Sequence, residues 1–173
     1  EIDDALSLQG LGSGTVTLGI HIAAPGLAIV PDSAVDQVAR TRLSTVYMPG
    51  HKITMLPDAV VQAYTLEAGR DCPAVSLYAS FDETTLELKD SHTVLERVPI
   101  AHNLRHDQLD SVITEDWLTG EAPAQSAAAE IAALQPQLAF IFRLAKQLKA
   151  QREVVRGKPE TFNRPDYAFK LQG

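Results

Sequence analysis

The chain has 173 residues, 45% of them hydrophobic and 21% charged, with 15 basic against 22 acidic residues and a formal charge of −7. That mixture is too apolar for a disordered chain, and polar residues, Pro or Gly interrupt every apolar stretch short of the roughly 20 residues a membrane-spanning helix needs. The negative balance excludes a broad basic surface gripping phosphate backbones by counterion release, so a nucleic-acid partner requires a local site. One cysteine, Cys72, excludes an internal disulfide and a cysteine metal cluster, which fits a reducing, cytoplasmic setting. The chain opens on Glu1 rather than Met, with neither a charged n-region nor an apolar h-region, and reads as an excised fragment.

In chain order, Ala5 to Leu8 and Thr15 to Ile22 carry strand patterns, with Val16, Leu18, Ile20 and Ile22 on one face. The run Gly10-Leu11-Gly12-Ser13-Gly14 between them predicts a hairpin turn. A phosphate-binding loop would lead from strand into helix, and here a second strand follows. Pro31-Asp32-Ser33 opens a helix to about Ser44, capped by Asp32 or Ser33. A strand and turn follow over Thr45 to Gly50, then a short helix from Asp58 to Tyr64 whose first turn Pro57 presets. Ala74 to Phe81, Thr85 to Lys89 and His92 to Ile100 predict three strands of an antiparallel meander.

From Asp107 the pattern turns helical through Leu109, Val112 and Ile113 to Trp117. A connector spans Gly120 to Ser126. Ala127 to Val155 is the longest helical signal, with Ile131, Leu134, Leu138, Ile141, Phe142, Leu144, Ala145 and Leu148 as its core stripe. Pro136 kinks or splits it. The tail from Arg164 to Leu171 begins another strand.

The sharpest local feature is Glu1-Ile2-Asp3-Asp4. Three carboxylates in four residues repel one another and persist where water solvates them or a cation neutralises them. In extended backbone Glu1 and Asp3 share a face and Asp4 takes the other, whereas a bend would bring all three to hard divalent cations such as Mg²⁺. His21, His51, His92 and His102 have no pairing at metal-ligand spacing and read as structural or exposed.

Glu1-Ile2-Asp3-Asp4-Ala5-Leu6-Ser7, Gly19-Ile20-His21-Ile22-Ala23, Thr45-Val46-Tyr47-Met48-Pro49-Gly50 and Met55-Leu56-Pro57, in that order, resemble the catalytic RNB domain of the ribonuclease II family. The similarity continues at Asp107-Gln108-Leu109, Arg156-Gly157 and Arg164-Pro165-Asp166-Tyr167. It identifies residues 1–173 as the N-terminal portion of such a domain, without the flanking cold-shock and S1-type domains. The fold it implies is α+β, a twisted, mostly antiparallel sheet covered by helices, RNB-type and incomplete.

The resemblance implies a 3'→5' exoribonuclease that hydrolyses single-stranded RNA to nucleoside 5'-monophosphates with Mg²⁺, with neither DNA nor membrane as a partner. Asp3 and Asp4 match the final pair of the family's acidic motif, and Glu1 stands where Asp is usual. The motif's first Asp would precede residue 1. Together Glu1, Asp3 and Asp4 become the metal candidates, with Asp3 and Asp4 catalytic. His106 occupies the place of a family tyrosine near the catalytic centre, and Ala24 that of a frequent Asp. Tyr47 matches a tyrosine that stacks on the 3'-terminal base. Phe162 lies near the opposing aromatic, one residue out of register, with Thr161 in the aligned slot. Arg40 and Arg42 match basic positions ahead of Tyr47, where phosphate contact and helix-surface solvation are both open. A family arginine that neutralises the scissile phosphate belongs to the domain's C-terminal half, so the fragment alone is expected to be inactive. A noncatalytic RNA-binding or scaffold protein of the same fold is the alternative.

Overall fold

In the computed structural model, which describes residues 1–105, 109, 112–121 and 129–161, the glycine run forms the expected turn between β1 (Asp4–Gln9) and β2 (Thr15–Ala23). The turn does present backbone N–H groups to an anion, but the anion belongs to the protein. Gly12 and Gly14 donate to the two carboxylate oxygens of Glu83 at 2.7 and 2.9 Å, which holds the Glu83 carboxyl below its ordinary range. This ties the β1–β2 turn to the next hairpin of the sheet.

That hairpin corrects the three-strand meander. Two 12-residue strands, β5 (Asp71–Asp82) and β6 (Leu88–Pro99), pair along their whole length. Thr85 to Glu87 belong to the connection between them, and Leu88 and Lys89 open β6. The Asp82 carboxylate accepts the Thr84 and Thr85 N–H groups and pairs with Lys89, the arrangement by which an Asp side chain stabilises a turn. The result is a four-stranded antiparallel sheet of order β1-β2-β5-β6.

The sheet changes its buried face halfway along. At one end Val16, Leu18, Ala79 and Phe81 pack with Leu86 and with Phe140 and Leu144 of a long helix. At the other end burial shifts to the opposite parity, and Cys72, Ala74 and Val98 pack with Leu66, Ile100, Ile2, Ala5 and Ala23. Side chains alternate along a strand, so Ile22, Val75, Leu77 and Leu95 share the first face, yet lie beyond the helix and remain exposed. The acidic N-terminal motif sits at the second end, beside the cluster that includes Ile2.

α1 (Ala34–Arg42) starts where the sequence places it, with Ser33 as the cap accepting from the Asp36 N–H. After it come β3 (Val46–Met48) and β4 (His51–Ile53), a hairpin of which the sequence pattern showed only the first strand. Pro49-Gly50 joins them, with Gly50 at φ 72°, as a turn with proline first and a left-handed second residue requires. α2 (Asp58–Tyr64) follows Pro57 as expected. Beyond the sheet, α3 (Glu115–Thr119) is capped by Thr114. The long helical signal is split at Leu134 into α4 (Ala129–Ala133) and α5 (Gln135–Arg156), and Pro136 stands in the first turn of α5, where a missing N–H costs nothing. The expected strand from Arg164 lies outside the described residues.

Leu43 ends α1 at φ 61° and is 78% exposed. It combines left-handed backbone strain with almost no burial. Leu43→Gly is therefore expected to raise stability by about 1 kcal/mol, read as a higher urea midpoint at unchanged m-value.

Candidate active site

The acidic motif is fixed by its backbone. Ile2 N–H donates to Thr65 Oγ1 at 2.8 Å, Leu66 N–H donates to the Ile2 carbonyl at 2.9 Å, and Ala23 N–H donates to the Asp3 carbonyl at 2.8 Å. The motif is thus held between the end of β2 and the segment after α2. Glu1 and Asp3 line one cavity of about 200 Å³, together with Ala23, Thr45, Tyr64 and Thr65. Asp4 is exposed and pairs with Ile22 across β1–β2, and alternation turns it to the other side of the strand. The structure accordingly brings Glu1 and Asp3 together and does not bring Asp4 with them.

Burial raises the Asp3 carboxyl above its ordinary value, and the charges of Glu1 and Asp4 push the same way. The ionised form of Asp3 is under electrostatic pressure that a cation would relieve. Among the described residues no three His, Cys, Asp or Glu side chains form a metal-binding group. Two carboxylates on one cavity do fit Mg²⁺ in its common protein setting, where water and substrate phosphate complete the shell.

The β3–β4 hairpin supplies the basic and aromatic groups. Tyr47 is 72% exposed on β3, a ring with its faces open to a partner. Lys52 lies directly across from it, and the Lys52 ammonium donates to Glu1 Oε2 at 2.7 Å. The Glu1 carboxylate, first through this hydrogen bond and then through its charge, stabilises the ammonium and raises the Lys52 pKa above its ordinary value. Arg42 donates through Nη1 to the Thr54 carbonyl at 2.6 Å, so α1 braces the open end of the hairpin, and Met55 N–H donates to Thr45 Oγ1 at 3.2 Å, which ties its two flanks together. Arg40 pairs with Asp36 at 2.9 Å on the exposed side of α1. Of the two arginines in question, Arg40 is therefore a helix-surface ion pair, and Arg42 holds the hairpin that carries Tyr47.

A polar network that sequence spacing did not reveal crosses the sheet on the Asp3 side. His21 is 1% exposed, with Nδ1 2.7 Å from Ser76 Oγ and Nε2 2.8 Å from Ser7 Oγ. The Tyr78 hydroxyl donates to Glu96 Oε1 at 2.8 Å, and the polar influence of Ser76 and Tyr78 holds the Glu96 carboxyl below the ordinary range. Each serine hydroxyl can donate or accept, so both ring nitrogens of His21 are satisfied in either neutral tautomer. Tyr78 also meets His21 edge-on and stacks on His92. Gly19 is required here, because a Cβ would stand 2.4 Å from Ser7 Oγ and 2.8 Å from His21 Nε2. The cross-strand pairing Ala5↔His21 and Ser7↔Gly19 was the missing information, since these residues are far apart in sequence.

Burial lowers the His21 pKa from its ordinary 6.5, outweighing the opposite pull of Glu96. The unfolded chain therefore binds a proton at a pH where the folded chain still resists it. The contribution of neutral His21 is fully present above about pH 6.5 and is lost as pH falls below it toward the lowered folded value. Urea midpoints at about pH 7.5 and 5.5 are expected to show this fall, and His21→Gln to remove it.

His106, Asp107, Phe162 and the Arg164 to Tyr167 motif lie outside the described residues. His51, His92 and His102 are exposed, and Cys72 is buried with Sγ 3.4 Å from the Thr65 carbonyl, a structural thiol. Ala24 N–H donates to the Pro73 carbonyl and extends the β2–β5 ladder. A larger hollow of about 570 Å³, between Leu11, Glu83, Phe142 and Arg143, contains none of the candidate residues. Among the described residues no helix is long and apolar enough to cross a membrane.

An antiparallel sheet with an acidic strand entry, flanked by an aromatic hairpin, defines a domain of the RNB type. The RNB domain model matches residues 1–172, and the chain belongs to that family. Exoribonuclease 2 of Vibrio vulnificus is 31% identical over 173 residues, covering 99% of this chain and 24% of the relative. Yeast Ssd1, described as a pseudonuclease, superposes with a TM-score of 0.67 at 25% identity, covering 92% of this chain and 17% of Ssd1. Mycoplasma genitalium RNase R, solved in complex with double-stranded RNA, superposes with a TM-score of 0.68 at 23% identity, covering 88% of this chain and 25% of that one. The chain thus spans about a quarter or less of the length of these proteins.

Proposed function

We propose that the protein is a 3'→5' exoribonuclease of the ribonuclease II type that degrades single-stranded RNA to nucleoside 5'-monophosphates with Mg²⁺. The observation that carries this reading is the pairing of Glu1 and Asp3 on one cavity beside the hairpin that exposes Tyr47. Family membership and the exoribonuclease names of its relatives support the same reading. Asp3, with Glu1, would hold the cation, and Asp4 would join them through water or a shift of the strand entry. Bound Mg²⁺ supplies neutralisation of charge at the attacking and leaving oxygens. Tyr47 accepts any base on its ring face, which suits an enzyme that must process all four. Arg42 acts on RNA indirectly, by fixing the hairpin, while His106 and Phe162 remain proposed members of the same site. The cytosol is the compartment proposed for the reaction.

The test is shortening of 5'-labelled single-stranded RNA, with release of nucleoside monophosphates from uniformly labelled RNA, by the full-length gene product, with Mg²⁺ and with a chelator. Chelator-sensitive stepwise shortening from the 3' end is expected. A second reading, noncatalytic RNA binding, is favoured by the Lys52 ammonium on Glu1 and by the likeness to a pseudonuclease. Binding without any shortening in the same assay would decide for it.

A further inference from the structure

Tyr47 and Lys52 are direct partners in the β3–β4 register, so their side chains project from the same face of a two-stranded ribbon, with Cβ atoms roughly 5 Å apart. The Lys52–Glu1 contact turns that face toward the acidic motif. Arg42 and Thr45 fasten the ribbon to α1 and to Met55, and the Pro49-Gly50 turn closes it. An exposed ring and an ammonium are therefore presented side by side on a braced support.

We propose that Tyr47 and Lys52 form a two-part clamp for one nucleotide of RNA, the ring stacking on its base and the Lys52 ammonium contacting its phosphate. The inference rests on the RNA-binding reading above and adds a residue that reading does not use. Without RNA, Lys52 rests on Glu1, which keeps an acidic cavity from repelling the backbone. On binding, the ammonium passes from carboxylate to phosphate, an exchange between two oxyanions that needs only a turn of the flexible lysine stem. The transfer frees Glu1 for a cation at the moment the substrate arrives. The pairing also answers the charge problem of a −7 chain, since one cation placed beside the carboxylates supplies locally what the whole surface lacks.

Screening of Glu1 and contact with phosphate are separated by the background in which Lys52 is removed. Binding of a short 5'-fluorescein-labelled oligoadenylate is measured by anisotropy in a chelator, across a salt series, for the full-length gene product. Lys52→Ala is compared with wild type and, separately, Glu1→Gln/Lys52→Ala with Glu1→Gln. A phosphate contact predicts that Lys52→Ala still weakens binding roughly fivefold in the Glu1→Gln background. It also predicts a loss of about 0.7 from the slope of log affinity against log salt, with Lys52→Arg restoring both. If Lys52 only screens Glu1, its removal is silent once Glu1 is neutral, and the clamp is overturned while RNA binding stands. Absence of oligoadenylate binding by the wild type overturns the RNA reading and the clamp together. Circular dichroism melts of each variant exclude unfolding as the cause, and Lys52→Gln, which keeps the aliphatic stem, repeats the comparison if Lys52→Ala melts early.

Discussion

Asp3→Asn in the full-length gene product is expected to lower single-turnover hydrolysis of single-stranded RNA by about 10³-fold, some 4 kcal/mol of barrier. RNA affinity should stay within about twofold, because the amide keeps the size of the carboxyl and RNA gains nothing from a negative charge at that place. The same substitution should not destabilise the fold. Burial and the neighbouring Glu1 charge already penalise ionised Asp3, so a neutral isostere removes an electrostatic cost and raises the denaturation midpoint. Loss of activity with gain of stability is the signature of a group kept charged for chemistry rather than for folding. Hydrolysis at the wild-type rate would remove Asp3 from the mechanism, and a drop in stability would show that its carboxylate serves the fold.

Local signals in the sequence were sufficient wherever structure is local. The Ser33 cap, the Pro57 entry to α2, the β1–β2 turn and the break before Pro136 each depend on residues within a turn of one another. The meander failed for a definite reason. Burial in β5 switches from even to odd positions between Ser76 and Ala79, so no single alternation runs through it. Asp90 and Ser91, ordinary turn formers, are the third and fourth residues of β6 because the edge of a sheet lets polar side chains face water while the backbone stays paired. β4 escaped notice because three exposed residues, His51 to Ile53, carry no periodic burial at all.

The site followed the same division. Glu1, Asp3 and Tyr47 were legible through their motifs, since each motif is contiguous. Lys52, Ser76 and Glu96 carry no motif and Ser7 closes one without a role of its own there, so their roles come from pairings across strands: Tyr47↔Lys52, Ala5↔His21 and Ser76↔Val94 beside Ala74↔Glu96. The extended alternative for the acidic motif is the one realised, Glu1 and Asp3 together and Asp4 opposite. The backbone is held straight into β1 by Ala23 and Leu66, which leaves no bend at Asp3.

Tyr47→Ala is expected to weaken binding of a single-stranded RNA 3' end by about 1–3 kcal/mol, roughly five- to 150-fold, which is the value of one stacked base. Because the ring is 72% exposed, its removal deletes little packing, and the melting temperature should hardly move. The effect should appear in the products more than in the chemistry. An RNA end that is no longer stacked is held by fewer contacts as the strand shortens, so the enzyme releases its substrate earlier and the limit product lengthens, while the rate of cleavage of long substrates at saturation stays near wild type. Denaturing gels of end-labelled RNA, run to completion, read this directly. A limit product of unchanged length, with unchanged affinity for short oligonucleotides, would reduce Tyr47 to a hairpin residue. A longer limit product in Tyr47→Phe as well would move the role from the ring to the hydroxyl, because phenylalanine stacks as tyrosine does.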